Sequence, residues 1–192
     1  MPSPKPPLLP VEIVRRMLRV ARFDGTSILV IAGTFALGSA SLHDTEGTGI
    51  SLMVAGAGAI ELHGVGLLRH GEERGLRWLV SSQIYLMMAM LGYVAFSLRH
   101  VDIDAIRQLI SHLLELLRQF LGPQDSETVI PQFLANSRQA IAQAGLTVDD
   151  FLRQMYVLIY TVVGVLTVLY QGTMAIYYAR RQTAVAAALA GD

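Results

Sequence analysis

Long stretches of this chain carry no charge. Gly25–Leu42 lies between Asp24 and His43, Trp78–Leu98 between Arg77 and Arg99, and Gln154–Ala179 between Arg153 and Arg180. A fourth stretch, Gly47–Leu68, is interrupted only by Glu61 and His63. A helix of about 20 mostly apolar residues crosses a bilayer core of roughly 30 Å. A helix in water keeps one polar face and does not stay uncharged for that long. Backbone groups in hydrocarbon must bond within their own segment, so each stretch predicts a helix. The pattern predicts an all-α, polytopic membrane protein: a four-transmembrane-helix bundle with spans at 25–42, 47–68, 78–98 and 154–179.

A cleaved leader is the rival reading of the first span. Arg15, Arg16, Arg19 and Arg22 resemble a basic leader region, Ile28–Leu37 an apolar one, and Gly38-Ser39-Ala40 has a small-x-small cleavage shape. Against it, a second apolar stretch begins four residues after His43.

Between the spans the pattern changes. Val11–Arg22 separates on a helical wheel, with Val14, Met17, Leu18 and Ala21 on one face and Arg15, Arg16, Arg19 and Arg22 on the other. Such a helix lies in the membrane surface with its arginines on anionic headgroups, or packs on the bundle as a cytoplasmic helix. Pro10 can open it at the first position, and residues 1–9 are proline-rich and predicted disordered. Segment 1–24 therefore reads as a tail with a basic amphipathic helix, 43–46 as a short turn, 69–77 as a loop and 180–192 as a tail.

Segment 99–153 predicts a helical subdomain between the third and fourth spans. Ile103, Ile106, Ile110, Leu113, Leu117 and Phe120 recur at spacings of three and four, widened by Leu109, Leu114, Leu116 and Leu121. Gly122 and Pro123 should end that helix, and Pro131 should begin another that closes at Gly145. Thr147 and Asp150 form a capping-box-like start for a third, which meets no breaker before Arg181. It should hold the subdomain rigidly to the bundle. The stripe is too apolar to face water alone, so it covers a partner helix, rests on the membrane or drives self-association.

Arginine and lysine favour the cytoplasmic side of short loops. Lys5, Arg15, Arg16, Arg19 and Arg22 precede the first span, Arg69, Arg74 and Arg77 fill the second loop, and Arg180 and Arg181 follow the last span. The first loop has no basic residue, and acidic residues outnumber basic ones in 99–153. Both termini are therefore expected inside and 99–153 outside. Arginine far exceeds lysine, and the single asparagine, Asn136, lies outside any glycosylation triplet, which fits a bacterial inner (plasma) membrane.

Composition agrees. The 192 residues are 53% hydrophobic and 16% charged, and mean hydropathy is +0.46. Lysine plus arginine and aspartate plus glutamate are 15 each, without the basic excess of a nucleic-acid binder. There is no cysteine for a disulfide scaffold. The layout of four spans with a large second outer loop resembles that of tetraspanins. Their large loop carries a cysteine signature that this chain lacks, so neither residues nor function carry over.

Candidate chemistry is sparse. No phosphate-binding loop, His-Glu-x-x-His motif or nucleophile elbow occurs, so no catalytic residue, enzyme activity or cofactor is expected. An acid within a span costs about 2.5 to 3.5 kcal/mol on insertion scales and is a functional hypothesis by default. Glu61 lies eight residues before Arg69, about 12 Å at helical rise. Gln83, Gln171 and Thr34 fall at comparable depth on the other spans. The four predict an intramembrane polar layer, read either as a proton, cation or polar-solute site or as an interhelical hydrogen-bond layer. His63 lies about 200° from Glu61 around the helix and should reach headgroups instead. A second group, His43, Asp44 and Glu46 with His100, Asp102 and Asp104, offers oxygen and imidazole ligands for a divalent cation, although Asp102 or Asp104 serves equally as a helix cap. The functional expectation is a self-associating interaction or accessory protein in the bilayer, against an oligomeric channel or transporter with Glu61 in the pathway.

Overall fold

The computed structural model describes residues 10–121 and 123–190, without the side chains of 10, 105, 109, 121, 123–129 and 190. It is helical throughout: α1 Pro10–Ser41, α2 Thr45–Arg69, α3 Arg74–Arg99, α4 Ile103–Leu121, α5 Pro123–Gln143, α6 Val148–Ala179 and α7 Gln182–Ala190. No strand occurs among the described residues. Four segments are long and apolar enough to cross a membrane: Val11–Ser41, Thr45–Arg69, Arg74–Arg99 and Val148–Leu189. The expected disorder of 1–9 and the break at Gly122 lie outside the described residues.

The chain divides into two compact units, Met1–Tyr93 with Gly164–Asp192, and Val94–Val163. In the first, α1 packs along α2 and also against α7. Its core joins Met17 and Ala21 of α1, Val65 and Leu68 of α2, Leu76 and Leu79 of α3, Tyr178 of α6 and Val185 of α7. These are the amino-terminal parts of α1 and α3 and the carboxyl-terminal parts of α2 and α6. The helices therefore alternate in direction, as short connections require.

Two expectations about this unit are corrected. The basic segment is not a separate helix turned into the membrane plane. It continues into the first span as one 32-residue helix, because Phe23, Asp24 and Gly25 offer no breaker, and it packs on the bundle through Met17 and Ala21. The carboxyl-terminal tail is not merely a tail. Its alanine-rich sequence has strong helix propensity, and α7 buries Val185 in the core.

Glycine geometry sets the helix spacing. A Cβ on Gly58 would lie 2.7 Å from the Gly25 carbonyl oxygen, and one on Gly75 would lie 2.6 Å from that of Gly64. Backbones touch at both points, between α1 and α2 and between α2 and α3, in the small-residue packing of membrane helices. Ala32 and Ala36 of the expected α1 ridge are buried, while Ala40 is exposed. On α2, Ala55, Ala57 and Gly58 are buried and Ala59 is exposed.

The helix ends explain the turns. After α2, Gly71 takes φ +79° and the Glu72 N–H donates to the Leu67 carbonyl at 3.0 Å. After α5, Gly145 at φ +71° lets the Leu146 N–H reach the Ile141 carbonyl at 3.2 Å. Both are Schellman closures. After α1 the same closure is made with His43 at φ 58°, and the Asp44 N–H donates to the Ser39 carbonyl at 2.9 Å. Asp44 then caps α2 by accepting from the Gly47 N–H at 2.9 Å.

In the second unit α4 packs against α5, and Ile130 is 2% exposed. Pro131 does not begin α5 but lies inside it. Proline fits the first helical turn, and Pro123 already occupies that position. Thr147 and Asp150 make the expected start of α6: the Asp150 N–H donates to Thr147 Oγ1 at 3.1 Å, and that hydroxyl donates to Asp150 Oδ2 at 2.6 Å. From Val148, α6 runs unbroken to Ala179. Arg107 Nη2 bonds Asp149 Oδ1 at 2.5 Å and Arg107 Nη1 bonds Asp104 Oδ1 at 3.2 Å, joining α4 to α6. These carboxylates hold the Arg107 guanidinium above its ordinary pKa, Asp149 the more strongly. Among the described residues the α4 stripe stays open: Ile110, Leu113, Leu116, Leu117 and Phe120 are exposed, Phe120 to 88%.

Candidate functional site

The close approach at Gly25 and Gly58 brings Asp24 and Glu61 to one level. A Cβ on Gly25 would lie 3.3 Å from the Glu61 Cβ, and Asp24 is its chain neighbour. Contact between Gly64 and Gly75 draws α3 against the same stretch of α2. Glu61 is thereby enclosed to 1% exposure.

Tyrosines from α6 reach both acids. The Tyr178 hydroxyl donates to Glu61 Oε1 at 2.9 Å. The Tyr170 hydroxyl donates to Asp24 Oδ1 at 3.2 Å. Gln83 of α3 donates through Nε2 to Asp24 Oδ2 at 3.5 Å, the long end of hydrogen bonding. It also shares a side-chain hydrogen bond with Glu61, which feels the charge of Asp24. Helices α1, α2, α3 and α6 each give at least one polar side chain to this cluster.

The cluster has a surplus of acceptors. Among the described residues, Gln83 Oε1 and Gln171 Oε1 are buried without a hydrogen-bond partner. An unpartnered buried acceptor costs about 1–3 kcal/mol. A proton or small cation compensates such a surplus, whereas further carboxylates deepen it.

Of the expected polar layer, Glu61 and Gln83 come together. Gln171 is buried one residue beyond Tyr170. Thr34 does not belong and is corrected. Its side chain is exposed, and its hydroxyl donates to the Val30 carbonyl of its own helix at 2.8 Å. Asp24 takes its place on α1. Sequence reasoning set Asp24 aside as the edge of a span. The available signals were Gly25 beside it and a helical pattern that does not stop there. Tyr170 and Tyr178 were also missed in this role, since only the packed register brings tyrosine hydroxyls to distant acids.

The expected divalent-cation cluster is divided between the two compact units, with His43, Asp44 and Glu46 in the first and His100, Asp102 and Asp104 in the second. Among the described residues, no group of three or more His, Asp or Glu side chains is placed to hold a metal ion. Asp44 caps α2, Asp102 accepts from the Asp104 N–H at 2.9 Å, and Asp104 pairs with Arg107. His100 stacks on Phe96, with Nδ1 3.0 Å from that residue's carbonyl. His43 sits in the turn after α1, and Glu46 lies in the first turn of α2. His63 meets the Trp78 ring edge-on at 5.2 Å.

Arg15, Arg16, Arg19 and Arg22 are all exposed and flank α1 on two sides. The first side faces a groove of about 600 Å3 lined by Arg15, Arg19, Arg22 and Arg69. Arg16 lines a second groove with Tyr177 and Arg181. The Arg181 guanidinium lies 5.2 Å from the Tyr177 ring centre. No known protein family, curated protein or solved structure matches the chain.

Proposed function

We propose that this is a small integral membrane protein that binds and exchanges a proton, or a small cation in its place, at the Asp24–Glu61 pair, and that it works as a channel, transporter or ion-coupled component of the bilayer. The observation that carries this reading is a buried acid, Glu61, beside the half-buried Asp24 of another helix, bridged by Gln83 and capped by tyrosines. In a low-dielectric interior, two neighbouring carboxylates need a neutralising partner. Ionisable residues inside membrane segments mark ion pathways and proton relays more than they add stability.

The proposed orientation has both termini and 69–77 in the cytoplasm and 99–153 on the outer side of a bacterial inner membrane. Its support is the distribution of arginine. With that orientation the acidic cluster lies in the inner half of the bilayer.

Flux from vesicles reconstituted with the purified chain tests the reading. Wild type should carry protons or a monovalent cation, and Glu61→Gln should lower that flux at least about tenfold, as expected for a residue that carries the ion itself. Detergent-solubilised variant should elute as wild type does. Equal flux in Asp24→Asn/Glu61→Gln and in wild type, or none in wild type, overturns it.

A second reading, a self-associating interaction or accessory subunit, is favoured by the exposed α4 stripe. It gives no role to the acidic pair. Under it, Leu113→Glu/Leu117→Glu should shift the assembled species to monomer while the flux of the remaining protein is unaffected. If the wild-type chain is monomeric in lipid nanodiscs, this reading fails.

A further inference from the structure

The groove beside α1 gathers four arginines at one end. Arg15, Arg19 and Arg22 follow at spacings of four and three, so all three project from one face of α1. Arg69, the last residue of α2, joins them. The antiparallel contact through Gly25 and Gly58 sets this register. No carboxylate among the described residues lines the groove. Among the described residues, none of these four arginines makes an ion pair; the salt bridges there involve Arg74, Arg107 and Arg118. Four like charges on one wall repel one another until an anion sits between them. Guanidinium groups match a phosphate through paired N–H donors.

The same face of α1 changes character along its length. Leu18 lines the groove among the arginines and Phe23 lines it just past Arg22, and Phe23 is 77% exposed. Continuing at helical spacing come Val30 and Leu37, both exposed, with Gly33 between them and open space where its Cβ would stand. A phosphate site thus leads directly into a smooth apolar track along a membrane-crossing helix. A free phosphate would use only the first part, whereas a phospholipid uses both.

We propose that this groove is a specific binding site for one anionic phospholipid, its phosphate held by Arg15, Arg19, Arg22 and Arg69 and one acyl chain lying over Phe23, Gly33 and Leu37. Arg16, on the opposite flank with Arg181, is outside the site. The lipid site stands independently of the acidic pair.

Native mass spectrometry of the full chain, purified in neutral detergent, tests the site with phosphatidylglycerol and phosphatidylcholine supplied at equal mole fraction. Wild type should retain phosphatidylglycerol at least about tenfold over phosphatidylcholine, since each surface arginine adds a substantial increment to anionic-lipid affinity. Arg19→Gln/Arg69→Gln should reduce this preference towards unity. Arg16→Gln/Arg181→Gln removes the same charge from the other flank and should preserve it. Excess inorganic phosphate should not displace the lipid. Equal retention of the two lipids by wild type overturns the proposal whatever the variants do. It is also overturned by equal loss in both double variants, which reports charge without a site, or by displacement with phosphate.

Discussion

At the scale of single residues, the molecule depends on a few short approaches. Gly75 and Gly64 touch through backbone atoms that cannot swing aside. Gly75→Ala should destabilise the chain by about 1–3 kcal/mol, the cost of overpacking a filled interior. Gly66 has nothing within 4 Å of an added Cβ. Gly66→Ala should therefore be neutral or stabilising by about 0.5–1 kcal/mol through helix propensity. Reversible unfolding in mixed micelles measures both. Tyr178→Phe removes the hydroxyl that donates to Glu61 and should cost about 1–3 kcal/mol, because a buried acceptor loses its donor. A loss no larger than that of an exposed Tyr→Phe change outside the cluster, such as Tyr85→Phe, would show that the bond contributes little. Glu61 and Gln83 were legible because a charged or amide group in an apolar run is conspicuous by itself. Asp24 was not, because an acid at the edge of such a run looks the same whether it faces water or a neighbouring helix.

Among the helices, what could be read from the sequence was periodicity and punctuation. The start of α6 after Thr147 and the closures at Gly71 and Gly145 follow from residue types whose local preferences are strong. What escaped was decided by packing. Nothing in the alanine-rich tail specifies that Val185 enters the core, and only a neighbour makes α7 more than a helical tail. Pro131 misled for the opposite reason: its preference for a helix start is real, but Pro123 already met it. Two consequences can be measured. Asp44→Ala should lower stability by about 1 kcal/mol through loss of the α2 cap, read by thermal unfolding in detergent. Val185→Asp should free α7 from α1, so trypsin should cut after Arg180 and Arg181 faster than in wild type while the helical content of the spans is kept.

For the whole molecule, four helices able to cross a bilayer could be foreseen because solvation in hydrocarbon constrains composition over some twenty residues at a time. The side on which each loop lies rests on arginine. The absence of native cysteine makes that directly testable. A single cysteine at Gln108 should react with a membrane-impermeant maleimide on intact cells, and one at Glu73 only after lysis. The reverse pattern would invert the proposed orientation. The α4 stripe was expected to cover a partner helix, rest on the membrane or meet a copy of the chain. Its exposure among the described residues leaves the last two explanations in play, at a level where residue patterns within one chain carry no information.

The turn between the first two spans carries a further consequence. Only Leu42, His43 and Asp44 separate α1 from α2, and the Schellman closure and the Asp44 cap fold them back at once. With so short a turn the pair is expected to enter the bilayer as a hairpin, so that biogenesis has one insertion event where composition alone suggests two. Because Asp24 and Glu61 come level in that hairpin, each acid would meet the other during entry, before either faces lipid on its own.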